Sequence, residues 1–121
     1  RVFLIGNISE EQKKYYYTNC EAFVFPSLRE GFGLPVIEAM LFGKPVFTSN
    51  NTSLPEIGGD LAYYWEHYEP DYMASELERG LSHFSDNKNM LQQKLVERAK
   101  SFNWDTAAKQ YAKVYQSIIS K

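Results

Sequence analysis

Pro26-Ser27-Leu28-Arg29-Glu30-Gly31-Phe32-Gly33-Leu34-Pro35-Val36-Ile37-Glu38-Ala39 decides how the rest of this chain is read. Just before it, Ala22 to Phe25 is a short apolar run of strand character, and from Leu34 to Phe42 the residues suit a helix that Gly43 ends. The stretch is therefore a strand-to-helix turn, placed at the carboxyl edge of a sheet. That edge is where open α/β sheets take their ligands. Gly31 and Gly33 let the backbone bend and approach a ligand with no side chain between. Pro35 suits the first helical position, where its missing N–H would be unpaired anyway. Free N–H groups around Gly33 to Val36, added to the helix dipole, favour an anion such as a diphosphate. Glu30 precedes the glycines and Glu38 lies about a turn into the helix. A carboxylate only accepts, and it can take two hydroxyl donors at once, which suits the vicinal diols of sugars and riboses.

The same residues have an ordinary reading. A Gly-x-Gly turn before a helix is widespread in α/β proteins, Glu38 can serve the helix dipole, and Glu30 can be a solvated loop charge. On physical grounds alone the two readings stand level.

Outward from this turn the chain alternates. Val2 to Ile5, Ala22 to Phe25 and Pro45 to Thr48 read as buried strands, with Leu61 to Trp65 a weaker fourth. Ser9 caps a helix running to about Asn19, and Ser53-Leu54-Pro55-Glu56 has capping-box spacing that opens one short helical turn. Strand and helix in alternation predict a parallel sheet with right-handed crossovers. From Pro70 the period changes. Met73, Leu77, Leu81 and Phe84 form one helical stripe, and Leu91, Leu95, Ala99 and Phe102 a second. Trp104, Ala107, Ala108, Tyr111, Tyr115 and Ile118 form a third, with breaks near Asp86-Asn87 and at Asn103. The fold class expected is α/β, a Rossmann-like parallel sheet ending in about three amphipathic helices, with residues 1–121 as one partial domain.

Composition narrows the function. The chain has 121 residues, 44% of them hydrophobic and 16% aromatic, which is ample for a packed core. Thirteen basic and fifteen acidic residues are dispersed to a net charge of −2, with no basic stripe for nucleic acid or an anionic membrane. Cys20 is the single cysteine, so no internal disulfide forms, and no paired Cys or His spacing suggests zinc. No apolar run approaches the ~20 residues of a membrane span. A reducing, cytoplasmic setting is expected. The opening residue is Arg1 rather than Met, and upstream sequence is expected to have been removed.

His67 and His83 are isolated and read as surface histidines. Tyr15-Tyr16-Tyr17 point in different directions on a helix, so partial core packing is favoured over a carbohydrate platform. Arg29 reads as a solvated loop charge, Cys20 as a buried thiol, Trp104 as a core residue, and Asn50-Asn51-Thr52 as a turn on the ligand edge.

The whole string Glu30-Gly31-Phe32-Gly33-Leu34-Pro35-x-x-Glu38-Ala39-x-x-x-Gly43-x-Pro45-Val46 resembles the signature of the glycogen-synthase-like (group 1) retaining glycosyltransferases of the GT-B fold. The two glutamates, with seven residues between them, match that family's paired-glutamate motif. Phe3-Leu4-x-Gly6, Phe23-Val24-Phe25-Pro26-Ser27, Ser53-Leu54-Pro55-Glu56 and Phe102-Asn103-Trp104 also have counterparts there, so the likeness covers essentially the entire chain. It implies the second half of a C-terminal nucleotide-sugar-binding domain in a two-domain enzyme.

On that resemblance, Glu30 binds hydroxyls of the transferred sugar and is the catalytic-side residue. Gly31, Phe32, Gly33 and Leu34 face the sugar and diphosphate through the backbone, and Glu38 holds the nucleotide ribose. No metal or cofactor is implied. Protein dipoles and cations offset the charge of the leaving diphosphate, and the anomeric configuration is kept. The acceptor, a polysaccharide, glycolipid or other glycoconjugate, is met through an N-terminal domain absent here, with peripheral placement on the cytoplasmic membrane face. The family's basic Arg and Lys pair near the start of this domain is also absent. The chain begins at what resembles the third strand, so the first strand of a doubly wound sheet, which sits between the third and fourth, is missing. Either Val2–Ile5 moves beside Ala22–Phe25, or another molecule fills the gap, self-association included. Two other functions stand open: a nucleotide-binding or scaffolding subunit that completes a glycosyltransferase in trans, and a sugar-nucleotide epimerase or phosphorylase of the same fold. A degenerate member that binds nothing is the third.

Overall fold

The computed structural model describes residues 1–120. Its sheet has three parallel strands, β1 (Phe23–Phe25), β2 (Val46–Ser49) and β3 (Tyr63–Trp65), in spatial order β1-β2-β3. Phe23 pairs with Val46 and Phe25 with Thr48; Phe47 pairs with Tyr63 and Ser49 with Trp65. Every residue of β2 is buried, as expected of a strand covered on both faces and both edges.

The helices are α1 (Glu10–Asn19), α2 (Leu34–Leu41), α3 (Leu54–Gly58), α4 (Pro70–Asp86), α5 (Lys88–Ser101) and α6 (Trp104–Ile119), with one 3-10 turn at Gly59–Leu61. Ser9 caps α1 through a reciprocal box with Gln12. Gly43, at φ 64°, closes α2, its N–H reaching Met40 O at 2.9 Å while Lys44 N–H reaches Ala39 O at 3.2 Å. Asn103 caps α6 by accepting from Thr106 N–H at 2.8 Å. These match the expected α/β alternation and the three C-terminal helices.

Side-chain alternation along the strands divides the core. Phe47 is stacked on Tyr63 at 4.7 Å and lies beside Trp65 at 6.1 Å, and Gly80 of α4 sits directly against this aromatic face. Val46 belongs to the opposite cluster, with Val36, Ile37, Met40, Leu54, Ile57, Leu95 and Ala99 from α2, α3 and α5. Among the helices, α2 packs most extensively on α5. Thr48 and Ser49, buried polar residues of β2, donate to Phe25 O and Ser27 O, so their burial leaves no hydroxyl unsatisfied.

Several expectations are corrected. Val2–Ile5 is not a strand: these residues are exposed and pair with none of the described residues, and they do not move beside β1. An extended apolar run becomes a strand only when a neighbour accepts its ladder bonds and its side chains find a core, and this sheet ends at β1. Ser53 does not cap α3; its backbone is already helical (φ −82°, ψ −12°), and its hydroxyl donates to Phe32 O and Glu30 O instead. Pro35 is the second residue of α2, not the first. Cys20 is half-buried rather than buried. The stripe of α6 covers no core: Trp104, Tyr111, Tyr115 and Ile118 are all exposed, Trp104 at 88%. A periodic apolar face says that a helix has something to bury, and says nothing about whether a surface lies against it.

Candidate functional site

The turn 26–33 leaves the carboxyl end of β1, beside the segment 50–53 that leaves β2. Hydrogen bonds staple one to the other. Glu30 N–H donates to Thr52 Oγ1 at 3.2 Å, and Ser53 Oγ donates to Phe32 O at 2.8 Å and Glu30 O at 3.3 Å. Thr52, read as part of a plain turn, adopts φ 52°, the one non-glycine residue in the left-handed region among those described. Strain of this kind persists where its surroundings over-determine it, and here it aims the hydroxyl at the Glu30 amide. The sequence carried no signal for this staple, because residues 22 positions apart meet only through the pairing of β1 with β2.

Gly33 is the N-cap of α2 at φ 108°, and a β-carbon there would stand 3.0 Å from Leu54 Cδ2. The glycine is thus required by both its backbone angle and the close passage of α3. Val36 N–H is not free, contrary to expectation, since it donates back to Gly33 O at 3.0 Å. Among the described residues, the N–H groups of Gly31, Phe32, Gly33 and Leu34 have no protein acceptor, so the donors at the helix start are these four. They sit at the positive end of α2, an arrangement that attracts an anion.

The two carboxylates are held by separate partners. Glu30 accepts from Ser27 Oγ at 2.6 Å, a bond that fixes Oε1 beside the turn. Glu38, on α2, accepts from Tyr17 OH at 3.1 Å and from Lys13 Nζ at 3.3 Å, both residues of α1. Lys13 also pairs with Glu10 at 2.9 Å, and those two carboxylates raise the lysine above its ordinary value. Burial and the Glu38 charge both push the Tyr17 phenol up, so it remains a neutral donor. The Tyr15–Tyr17 triplet divides as expected, with Tyr17 buried and its two neighbours exposed. The sequence predicts partial core packing for the triplet without singling out Tyr17 or joining it to Glu38, because the partner across an interface is a tertiary fact.

Beside the turn lies a groove of about 610 Å³ whose walls include Phe32, Leu34, Phe102, Trp104 and Tyr111. Phe32 meets Phe102 edge to face at 6.1 Å, which ties the turn to the end of α5. His67 and His83 are surface residues, stacked on Tyr72 and bonded to Tyr63 OH respectively. No cluster of metal-ligating side chains occurs among the described residues, and no helix there is long and apolar enough to cross a membrane.

A family model described as glycosyl transferases group 1 matches residues 1–102, a span holding the strands, the glycine turn and both glutamates. The chain belongs to the group 1 glycosyl transferases. It is 35% identical over 114 residues to the O-antigen chain mannosyltransferase B of Escherichia coli, covering 94% of this chain and 30% of that protein. It is 28% identical to the MMP alpha-(1->4)-mannosyltransferase of Mycolicibacterium hassiacum, covering 96% of this chain and 29% of the relative. This group 1 sequence therefore spans under a third of the curated relatives it matches. Among solved structures, sucrose-phosphate synthase from Thermosynechococcus elongatus superposes with TM-score 0.79 at 28% identity, over 99% of this chain and 31% of that one. The catalytic domain of starch synthase IV from Arabidopsis thaliana shares the fold, with TM-score 0.71 at 22% identity over 95% of this chain and 26% of its own. The Rossmann-like, GT-B character of the three parallel strands is thereby shown.

Proposed function

We propose that this chain is the nucleotide-sugar-binding half-domain of a two-domain glycosyltransferase that transfers a sugar to a glycan or lipid acceptor with retention of anomeric configuration. The observation that carries the reading is the set of unpartnered N–H groups from Gly31 to Leu34 at the start of α2, flanked by Glu30 and Glu38. In this reading the diphosphate lies on those donors, Glu38 takes ribose hydroxyls, and Glu30 takes hydroxyls of the sugar being transferred. The acceptor oxygen attacks the anomeric carbon on the face from which the nucleoside diphosphate leaves, and the acceptor proton departs with the leaving oxygen. The helix dipole and turn amides stabilise the charge that builds there, so the role asked of them needs no divalent metal. Mannosyl is the first sugar to test, since two relatives at 35% and 28% identity carry that name. In this reading the acceptor site and the first strand of the sheet belong to the remainder of a longer protein, working at the cytoplasmic membrane face.

The test is saturation-transfer NMR of the full-length protein against UDP-, GDP- and ADP-sugars, with Glu38→Ala in parallel. One donor should bind selectively, and its affinity should fall by about 1–3 kcal/mol in the variant, the range for losing hydrogen bonds to a charged group. A folded protein that binds none of these donors would overturn the assignment.

A further inference from the structure

Glu38 is held in place from α1, and its two holders differ in kind. Tyr17 is 7% exposed, with its ring stacked on Phe42 at 5.5 Å and tilted against Phe23 at 5.4 Å. Those contacts fix the phenol oxygen with respect to both β1 and the end of α2. Lys13 has an ammonium in partial contact with water, shared between Glu38 and Glu10, and it hangs on four rotatable bonds. Of the two, the phenol is the rigid donor.

The phenol carries one proton and has two acceptors within reach, Glu38 Oε2 at 3.1 Å and Pro35 O at 3.3 Å. The ionised carboxylate is the stronger acceptor and the nearer. Pro35 O already belongs to the hydrogen-bond ladder of α2. The proton therefore goes to Glu38. An ionised carboxylate has about four lone-pair positions. Tyr17 takes one on Oε2 and Lys13 one on Oε1, leaving one on each oxygen. Two free acceptor positions on adjacent oxygens, on a side chain still 38% exposed, suit the two hydroxyls of a vicinal diol.

We propose that Tyr17 is a positioning residue that sets the Glu38 carboxylate for a ribose 2′,3′-diol; this rests on the nucleotide reading above. Without the phenolic proton the carboxylate turns about its terminal torsion, which is a soft one, and the diol meets a spread of orientations instead of one.

The experiment measures binding of UDP, GDP and ADP, and of their 2′,3′-dideoxy analogues, to the full-length protein by calorimetry. The proteins compared are wild type, Tyr17→Phe, Glu38→Ala and the double variant. Tyr17→Phe removes one hydroxyl and keeps the ring, so thermal stability serves as the check on folding. The expected result is that Tyr17→Phe weakens the preferred ribonucleotide about 10-fold, the loss of one charge-assisted hydrogen bond's worth of orientation. Binding of its dideoxy analogue should not change. In the Glu38→Ala background, Tyr17→Phe should have no further effect. Equal weakening of both nucleotides by Tyr17→Phe would show a merely structural tyrosine and overturn the proposal, as would no weakening of either. If the wild type bound the dideoxy analogue as tightly as the ribonucleotide, or Glu38→Ala changed nothing, the ribose assignment itself would fall, and this proposal with it.

Discussion

Gly80→Ala sets two well-measured effects against each other at one atom. Gly80 lies inside α4, where replacing glycine by alanine normally gains about 1 kcal/mol of helix propensity. A β-carbon there would stand 2.5 Å from Phe47 Cε1, 2.7 Å from Phe47 Cζ and 3.0 Å from Tyr63 Cδ1. Comfortable carbon contacts are roughly 3.5–4.0 Å, so both rings would have to retreat by about 1 Å. Phe47 has nowhere to go: it is fully buried, stacked on Tyr63 and flanked by Trp65. Overpacking of this kind costs about 1–3 kcal/mol, with the upper half expected where two stacked rings must move. After the propensity gain, the net loss should be about 1–2 kcal/mol. Urea unfolding followed by the fluorescence of Trp65 measures it, in a Trp104→Phe background that removes the exposed second indole. Adding Phe47→Leu, which vacates the ring, should cancel most of the Gly80→Ala cost even though it is itself destabilising. If Gly80→Ala proved as stable as the parent, or more so, propensity alone would govern the site and α4 would not pack on β2 as described.

Arg98 donates from Nε to Ile57 O at 2.6 Å and from Nη2 to Glu56 O at 2.5 Å, and its guanidinium lies 5.6 Å from the centre of the Phe102 ring. Arg98→Ala should lower the unfolding free energy by about 1–3 kcal/mol, and Arg98→Lys should recover little, because an ammonium cannot span both carbonyls of the α3 end; denaturant midpoints decide this. Trp104→Ala, on an indole 88% exposed, should change stability by less than about 0.5 kcal/mol, whereas a loss of several kcal/mol would mean that the ring is buried after all. Burial pushes the Tyr64 phenol up to about 12. The fold favours its neutral form, so this contribution is complete below the ordinary value of 10.0 and is lost as pH rises from there towards 12. Absorbance titration of wild type against Tyr64→Phe should show one late-ionising tyrosine missing from the variant, and a missing phenol of ordinary pKa would contradict the burial.

The local features were legible because local rules govern them. The Ser9 cap, the stop at Gly43, the helix from Pro70 and the breaks near Asn87 and at Asn103 each depend on residues within about a turn of one another. The strand-turn-helix carrying Glu30 to Glu38 followed from an apolar run, two glycines and a proline in order. Val2–Ile5 has the composition of a strand and is none, since a strand is defined by a neighbour's hydrogen bonds. Helix α6 has the periodicity of a packed helix and lies open, since burial depends on the opposing surface. Ser53 had the capping spacing, yet its hydroxyl is taken by carbonyls 21 and 23 residues away.

By itself, then, the sequence determined the α/β alternation, the helix ends and the glutamate-flanked glycine turn, because backbone preference and short-range hydrogen bonding act along the chain. Only the tertiary structure decided that Thr52 and Ser53 hold the turn, that Tyr17 and Lys13 hold Glu38, and that Gly80 must be small for Phe47. Those contacts join residues 20 or more positions apart. Their partners are chosen by how strands pair and helices dock, and no local pattern encodes that choice.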